Sequence, residues 1–226
     1  KANLVEDGHM WAMSGWTQSD PQAAFDYVQS MEKPNHGLYY GLVRGWGRID
    51  LEGANTYVAS LKDDRLRRTL VGVIGESYVE QQGVQGALDW ATQTARTSKD
   101  QSFAGAALDD AIKRAVRQNP SHAAEWISAN KNHPHLKSWM FEHTAGRMAD
   151  RNPQAAAEWL AHNANDERVT GRVAGRVAGE WAEREPEAAA KWADTLRGTK
   201  MFDKELAERL AGSWSTRDSS AALEWA

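Results

Sequence analysis

Apolar side chains along the chain recur at intervals of three and four residues, which is the spacing of one face of an α-helix. Val173, Val177 and Trp181 stand four residues apart. The segment that follows places apolar residues at i, i+3, i+4 and i+7, namely Ala189, Trp192, Ala193 and Leu196. Sustained alternation of apolar and polar residues, the pattern of a half-buried strand, is nearly absent. The pattern therefore predicts an all-α protein.

The helical pattern is periodic along the chain. Three segments are nearly the same: NPSHAAEW at 119–126, NPQAAAEW at 152–159 and EPEAAAKW at 185–192. The same register continues in weaker copies on both sides, so that seven aromatic residues mark it: Tyr27, Tyr57, Trp90, Trp126, Trp159, Trp192 and Trp225. Their spacings are 30, 33, 36, 33, 33 and 33 residues. Such regular spacing indicates a structural repeat of roughly 33 residues.

Each copy predicts two helices with a start signal between them. Seven residues before the aromatic residue, five copies carry Asp or Asn, whose side-chain oxygen accepts a backbone N–H of the first helical turn. These cap positions are Asp20, Asp50, Asn119, Asn152 and Asp218. Proline then occupies the first helical position, where its missing N–H costs nothing, at Pro21, Pro120, Pro153 and Pro186. We expect the second helix of each copy to begin there.

A two-helix unit cannot bury its apolar face alone, but stacked units can. The sequence therefore predicts a right-handed α-solenoid of about seven two-helix repeats, as one helical-repeat domain over residues 1–226. A closed α/α toroid is the alternative. We favour the solenoid because repeat packing is local and toroids usually contain more hairpins. Residue 226 falls one past Trp225, inside an expected helix, so we expect the chain to be an excerpt that is incomplete at its C-terminal end.

The cap segment resembles a known helical repeat. Pro186 and Trp192 are separated as in the junction between tetratricopeptide repeats, and the period is close to that family's. Thr195 and Leu196 stand where that consensus has Leu and Gly, and Glu208 stands where it has a small residue. The chain thus resembles the tetratricopeptide-like superfamily in outline, and it is similar to bacterial arrays with a DPxAAxxW pattern. The resemblance implies binding rather than catalysis, and a bacterial source. The compartment stays open at this point, with a periplasmic or extracellular location favoured over a cytoplasmic one.

Composition adds two features, eleven tryptophans and no cysteine. The absence of cysteine excludes a disulfide framework, a zinc–thiolate site and an iron–sulfur cluster. Most tryptophans occupy two recurring positions, one late in each helix, which favours a role in the core over a stacking platform for sugars or bases. Trp11 and Trp139 fall outside both positions. They are therefore candidate partner-binding residues, because tryptophan is common in interface hot spots.

The charge of the chain limits the kinds of partner that it is expected to bind. The formal net charge is −4, and no basic footprint for nucleic acid is present. No apolar run approaches the length that spans a membrane. We therefore expect no nucleic-acid partner and no membrane insertion within this segment.

Three arginines recur next to the cap position at intervals of 33 residues: Arg151, Arg184 and Arg217. Stacked repeats would align them along one edge, where planar guanidinium groups suit carboxylate or phosphate recognition. They are candidate partner-binding residues. The alternative is that they are solvated turn residues.

The remaining groups of polar residues predict neither a catalytic site nor a cofactor site. Four histidines lie near one junction, at His133, His135, His143 and His162, but without the ligand spacing of a metal site. No catalytic motif for hydrolysis, phosphate binding or dinucleotide binding is present. Two structural expectations remain: an ion pair between Glu180 and Lys191, and a longer connecting loop in the polar stretch 92–102.

These observations predict a non-catalytic scaffold that binds a protein or peptide. The alternative is the superhelical, non-catalytic part of a larger bacterial enzyme of the envelope or of polysaccharide metabolism. Base-reading helical repeats are disfavoured because they need positive charge along their helices.

Overall fold

The computed structural model describes the backbone of residues 2–226 and the side chains from residue 8 onward. Over this part of the chain it contains thirteen α-helices and no strand, so the all-α prediction is confirmed. The helices are α1 (Ala2–Ser19), α2 (Pro21–Ser30), α3 (His36–Ile49), α4 (Leu51–Ser60), α5 (Asp64–Thr97), α6 (Gln101–Gln118), α7 (Pro120–Ala129), α8 (Ser138–Arg151), α9 (Pro153–His162), α10 (Gly171–Ala182), α11 (Pro186–Thr195), α12 (Lys204–Ser215) and α13 (Ser219–Trp225).

The cap positions end one helix and begin the next. All five predicted residues accept a hydrogen bond from the backbone N–H three residues on, at distances of 2.9–3.2 Å: Asp20, Asp50, Asn119, Asn152 and Asp218. In the sixth copy Glu185 stands at this position and makes no capping bond. Its carboxylate instead accepts the indole N–H of Trp181 at 3.1 Å. We call the helix before each cap position the A helix and the helix after it the B helix.

In the third copy a kink at Gly83 replaces the cap. α5 runs through both helices of that copy, and Gly83 has φ 73° and ψ −177°. Backbone in this region is accessible almost only to glycine. A side chain there would meet no neighbouring atom within 4 Å, so the requirement is conformational rather than steric. Residues 64–82 are thus an A helix and residues 84–97 a B helix.

The chain divides into two compact units, residues 1–111 and residues 112–226, with the boundary inside α6. In the first unit α3 packs against α1, α2, α4 and α5. In the second unit α10 packs against α8, α9, α11 and α12. Each of these A helices therefore contacts its own B helix and the A helices on either side.

Glycines bring neighbouring A helices close together. A Cβ atom at Gly45 of α3 would lie 2.5 Å from the carbonyl oxygen of Ser14 in α1. At Gly175 of α10 it would lie 3.0 Å from the carbonyl oxygen of Glu205 in α12. The backbones approach to distances at which a side chain would have to displace its neighbour.

The repeated tryptophans belong mainly to the core. Five of them are buried, with 6–8% of their surface exposed: Trp90, Trp126, Trp159, Trp181 and Trp214. The two recurring positions meet across a helix pair, as in Trp46 stacked on Tyr57 with ring centroids 5.5 Å apart. The first copy differs, because Trp16 and Tyr27 are 38% and 44% exposed.

Two structural expectations are wrong. The stretch 92–102 is not a long loop, since α5 continues to Thr97 and only residues 98–100 lie between it and α6. The hydroxyl of Thr97 donates to the carbonyl of Gln93 one turn earlier, which satisfies it within the helix. Glu180 pairs with Arg176 of its own helix at 2.8 Å and not with Lys191, because Arg176 lies on the same face one turn away.

None of the helices in the described part of the chain combines the length and the apolar character needed to cross a membrane.

Candidate functional site

The three recurrent arginines lie at successive turns between A and B helices of the second unit. All three are exposed, with Arg151 as the last residue of α8 and the other two just after α10 and α12. Arg217 donates to the backbone carbonyl of Arg184 at 2.7 Å. Arg184 in turn donates to the backbone carbonyl of Asp150. The guanidinium groups of Arg184 and Arg217 thus each bind the backbone of the preceding A–B turn. These two arginines therefore link successive repeats. The role of the three arginines in recognition stays a prediction.

Trp11 lies on the outer face of α1, with 56% of its surface exposed. The guanidinium of Arg44, from the neighbouring A helix α3, lies 5.4 Å from the centroid of its ring. This distance is that of a cation–π contact. The structure therefore places this tryptophan on the exposed side of two adjacent A helices.

Arg44 also belongs to a charged network in the first unit. It donates to Glu76 at 2.6 Å and to Glu80 at 3.1 Å, and the Tyr40 hydroxyl donates to Glu76 at 3.1 Å. Burial raises the pKa of Tyr40, and the negative charge of Glu76 adds to that increase. Burial opposes the charge of Arg44, but Glu76 and Glu80 outweigh it and raise the pKa of the guanidinium. The network holds Arg44 in place over Trp11.

Trp139 lies near the start of α8 in the second unit and is half-buried. The ammonium group of Lys113, from α6, lies 5.4 Å from its ring centroid. The imidazole of His143, one turn further along α8, meets the indole edge-on at 6.3 Å. Trp139 thus shares an arrangement with Trp11: a tryptophan on one A helix and a cation from the adjacent one.

Positive charge surrounds His143. Its pKa is lowered by partial burial and then by the charges of Arg147 and Arg176, with a smaller contribution from Lys113. The carboxylate of Glu142 opposes this shift. Cations from three A helices therefore act on this imidazole, against the charge of Glu142.

Glu142 is already occupied by other partners. Its two carboxylate oxygens bind Arg172 at 2.7 Å and Arg209 at 3.1 Å, and its side chain is only 16% exposed. A groove between α10 and α12 opens beside this bridge. It is lined by three glycines, one serine and five charged residues: Gly175, Gly179, Gly212, Ser213, Arg176, Glu180, Glu183, Glu208 and Arg209. The arrangement can form hydrogen bonds and ion pairs with an extended ligand.

The histidines do not form a metal centre among the residues described, where no group of three His, Asp or Glu side chains could hold an ion. His133 and His135 have ring centroids 5.9 Å apart, but His143 contacts Trp139 instead. His162 contacts the backbone carbonyl of Glu158 on its own helix at 2.8 Å. The four histidines are therefore close in the sequence, but their ring nitrogens do not converge on one point.

The sequence indicates the two tryptophans as candidates, but not Arg44 and Lys113 as their neighbours or Arg147 as a charge beside His143. The spacing Trp139–His143–Arg147 places three side chains on one helical stripe and was a readable signal. Lys113 lies on a different helix, and nothing in the local sequence connects it to Trp139.

Comparison of the chain with protein-family models, with curated protein sequences and with solved structures finds no match.

Proposed function

We propose that the chain is a non-catalytic scaffold, a right-handed α-solenoid of two-helix repeats, that binds a protein or peptide on the exposed face of its A helices. One observation carries the proposal. In each unit, the tryptophan that the repeat does not require lies on an A helix beside a cation of the adjacent A helix.

Two physical arguments support this surface. Tryptophan and arginine are enriched in interface hot spots, where a large apolar area and planar hydrogen bonding are combined. Within each unit, glycines also bring neighbouring A helices close together, so one ligand can contact side chains of both helices. Extended partners bind to such surfaces in repeat proteins because neighbouring repeats each contribute a few contacts.

The test is selection of peptides from a random display library on the full chain, followed by titration of enriched peptides by fluorescence anisotropy. We expect Trp11→Ala or Trp139→Ala to weaken binding by roughly tenfold, since truncating a hot-spot residue costs about 1–2 kcal/mol or more. Ile49→Ala is the matched control, because Ile49 is 51% exposed and lies outside both sites. Failure to enrich any peptide above a stable helical control protein, or equal effects of all three substitutions, would contradict the proposal.

A second candidate is glycan binding, as expected for the non-catalytic part of a polysaccharide-acting bacterial enzyme. It is favoured by a shallow apolar groove in the first unit, lined by Pro21, Gln22, Phe25 and Trp46. Aromatic rings in such grooves stack on sugars. Co-sedimentation with insoluble peptidoglycan or chitin tests it, and retention that Trp46→Ala abolishes would favour it over peptide binding.

A further inference from the structure

One stripe of α8 carries three side chains that are a turn apart. Trp139, His143 and Arg147 stand at i, i+4 and i+8, and His143 and Arg147 are exposed. The side chain of Arg176, from α10, crosses Gly146 on the same face, where an added Cβ would lie 2.7 Å from its Cγ and Nε atoms. Lys113, from α6, covers the other flank over Trp139. Three A helices thus contribute to one patch, which we call the Trp139 surface: Lys113, Trp139, His143, Arg147 and Arg176.

The charge of this surface is not neutralised from within. Arg147 and Lys113 form no ion pair with any residue that the structure describes. Arg176 pairs with Glu180 but keeps 46% of its side chain exposed. Glu142, which precedes His143 in α8, is held by Arg172 and Arg209. An excess of positive charge therefore remains beside an aromatic ring, in a chain whose net charge is −4.

We propose that the Trp139 surface binds an acidic peptide segment, with carboxylates on Lys113, Arg147 and Arg176 and an apolar side chain against Trp139. The inference rests on the proposed peptide-binding function and names the partner's chemistry. Guanidinium groups bind carboxylates through paired N–H donors, and lysine contributes a point charge. The imidazole of His143 lies between Trp139 and Arg147 along the stripe and provides a further hydrogen-bonding group.

A short acidic peptide fits better than a nucleic acid. Affinity for nucleic acid grows with the number of phosphates that a basic surface neutralises. Here Asp150 and Glu180 lie on the same helices as Arg147 and Arg176, so a long phosphate backbone would pass acidic groups. A few carboxylates at the spacing of one peptide can contact the cations and avoid the acids.

The experiment uses the full chain and a fluorescein-labelled decapeptide in which Glu and Leu alternate. The comparison probe carries Gln for every Glu. We expect the Glu peptide to bind at low salt and the Gln peptide to bind at least tenfold more weakly, with the difference shrinking as salt screens the charges. Arg147→Glu and Lys113→Glu should each weaken binding of the Glu peptide by roughly tenfold, because each reverses one contact charge.

Lys191→Glu is the matched control. It makes the same change in net charge on an exposed position of the B helix α11, and it should leave the affinity within about twofold, because charges further apart than a Debye length of about 8 Å are screened. Circular dichroism melting curves show whether each variant folds. Equal binding of the Glu and Gln peptides, an equal loss in the Lys191→Glu variant, or tighter binding of a single-stranded oligonucleotide would overturn the inference. If the display selection enriches only non-acidic peptides, the inference fails while the proposed scaffold function stands.

Discussion

His143 is the residue in which the electrostatics of the Trp139 surface can be measured directly. Its pKa is lowered by burial and by the positive charges of Arg147, Arg176 and Lys113, against the opposing charge of Glu142. Each of these groups lies on α6, α8 or α10, so the imidazole reports on all three helices. A change in the cations should therefore appear as a change in the titration of this one ring.

We predict that Arg147→Ala raises the pKa of His143. Removing a nearby positive charge makes the imidazolium less unfavourable, so the ring takes up its proton at a higher pH. The measurement is the titration of the His143 ring carbon–hydrogen signals by nuclear magnetic resonance in both proteins. Lys191→Ala, on α11, should leave the titration unchanged. An unchanged pKa in the Arg147→Ala protein would show that the cations do not act on the ring.

The same lowered pKa predicts how stability depends on pH. The unfolded chain binds a proton at His143 near pH 6.5, which is above the pKa of the folded state. As the pH falls below that value, the unfolded state takes up the proton first, and stability declines until the folded-state pKa is passed. Urea unfolding at several pH values between about 7 and 5 measures this slope. The slope should be smaller in a His143→Gln protein, and equal slopes would contradict the assignment to His143.

At the scale of the helices and their connections, arginine side chains link successive repeats through backbone carbonyls. Arg168 precedes α10 and pairs with Asp166 at 2.7 Å, which lowers the pKa of that carboxyl. It also donates to the carbonyl of Lys131 at 2.7 Å, in the connection between α7 and α8. Its guanidinium lies 5.1 Å from the centroid of the Phe141 ring. One side chain therefore contacts two connections and the buried face of α8.

We predict that Arg168→Ala destabilises the second unit by about 1–3 kcal/mol, the range for charged hydrogen bonds lost together with a buried partner. Arg168→Lys should recover little of that loss, because an ammonium group cannot reproduce the planar set of donors. Urea unfolding provides the free energies. Arg197→Ala is the control, since Arg197 is 56% exposed and its ion pair with Asp194 lies within one stretch of chain. Equal losses for both alanine variants would argue against a special role for Arg168.

Gly83 allows α5 to serve as both helices of its repeat. We predict that Gly83→Ala destabilises the chain by about 1–3 kcal/mol, because its backbone region is strained for any residue with a Cβ atom. Gly15→Ala is the matched control in the same unit: Gly15 lies in α1 with open space around it, so alanine there should stabilise by about 0.5–1 kcal/mol through helix propensity. Free energies from urea unfolding compare the two. A neutral Gly83→Ala substitution would show that the kink relaxes into another conformation.

Local chemistry explains which elements the sequence could predict. Asn152 and Asp218 begin helices through bonds to residues three positions on, and such signals are legible in a single copy of the repeat. The polar composition of the segment around Thr92 and Thr97 wrongly predicted a loop. Their hydroxyls donate to backbone carbonyls one turn earlier, so both residues are accommodated within the helix. The contact of Lys113 with Trp139 depends on how α6 and α8 pack, and no pattern within either helix encodes it.

At the scale of the whole molecule, the described A helices of each unit pack mainly against helices that are their neighbours in the sequence, so stability should be transmitted locally. Proteins built in this way behave as a chain of repeats coupled to their nearest neighbours. A destabilising substitution in one unit should then make local unfolding more frequent in that unit before it affects the other unit. This behaviour would distinguish stacked repeats from a domain with one shared core, and it tests the solenoid prediction without reference to a ligand.

We predict that Leu210→Ala, which truncates a fully buried side chain of α12, speeds amide hydrogen exchange in α10 and α12 and leaves α1 and α3 unchanged. A buried leucine truncated to alanine costs about 2–5 kcal/mol, so local opening should become easier by more than tenfold. Leu42→Ala in α3 is the reciprocal variant, since Leu42 is equally buried in the first unit. It should speed exchange in α1 and α3 and spare α12. Exchange that rises uniformly in both units after either substitution would show a single cooperative core, because an array coupled only between neighbours confines the loss to the altered end.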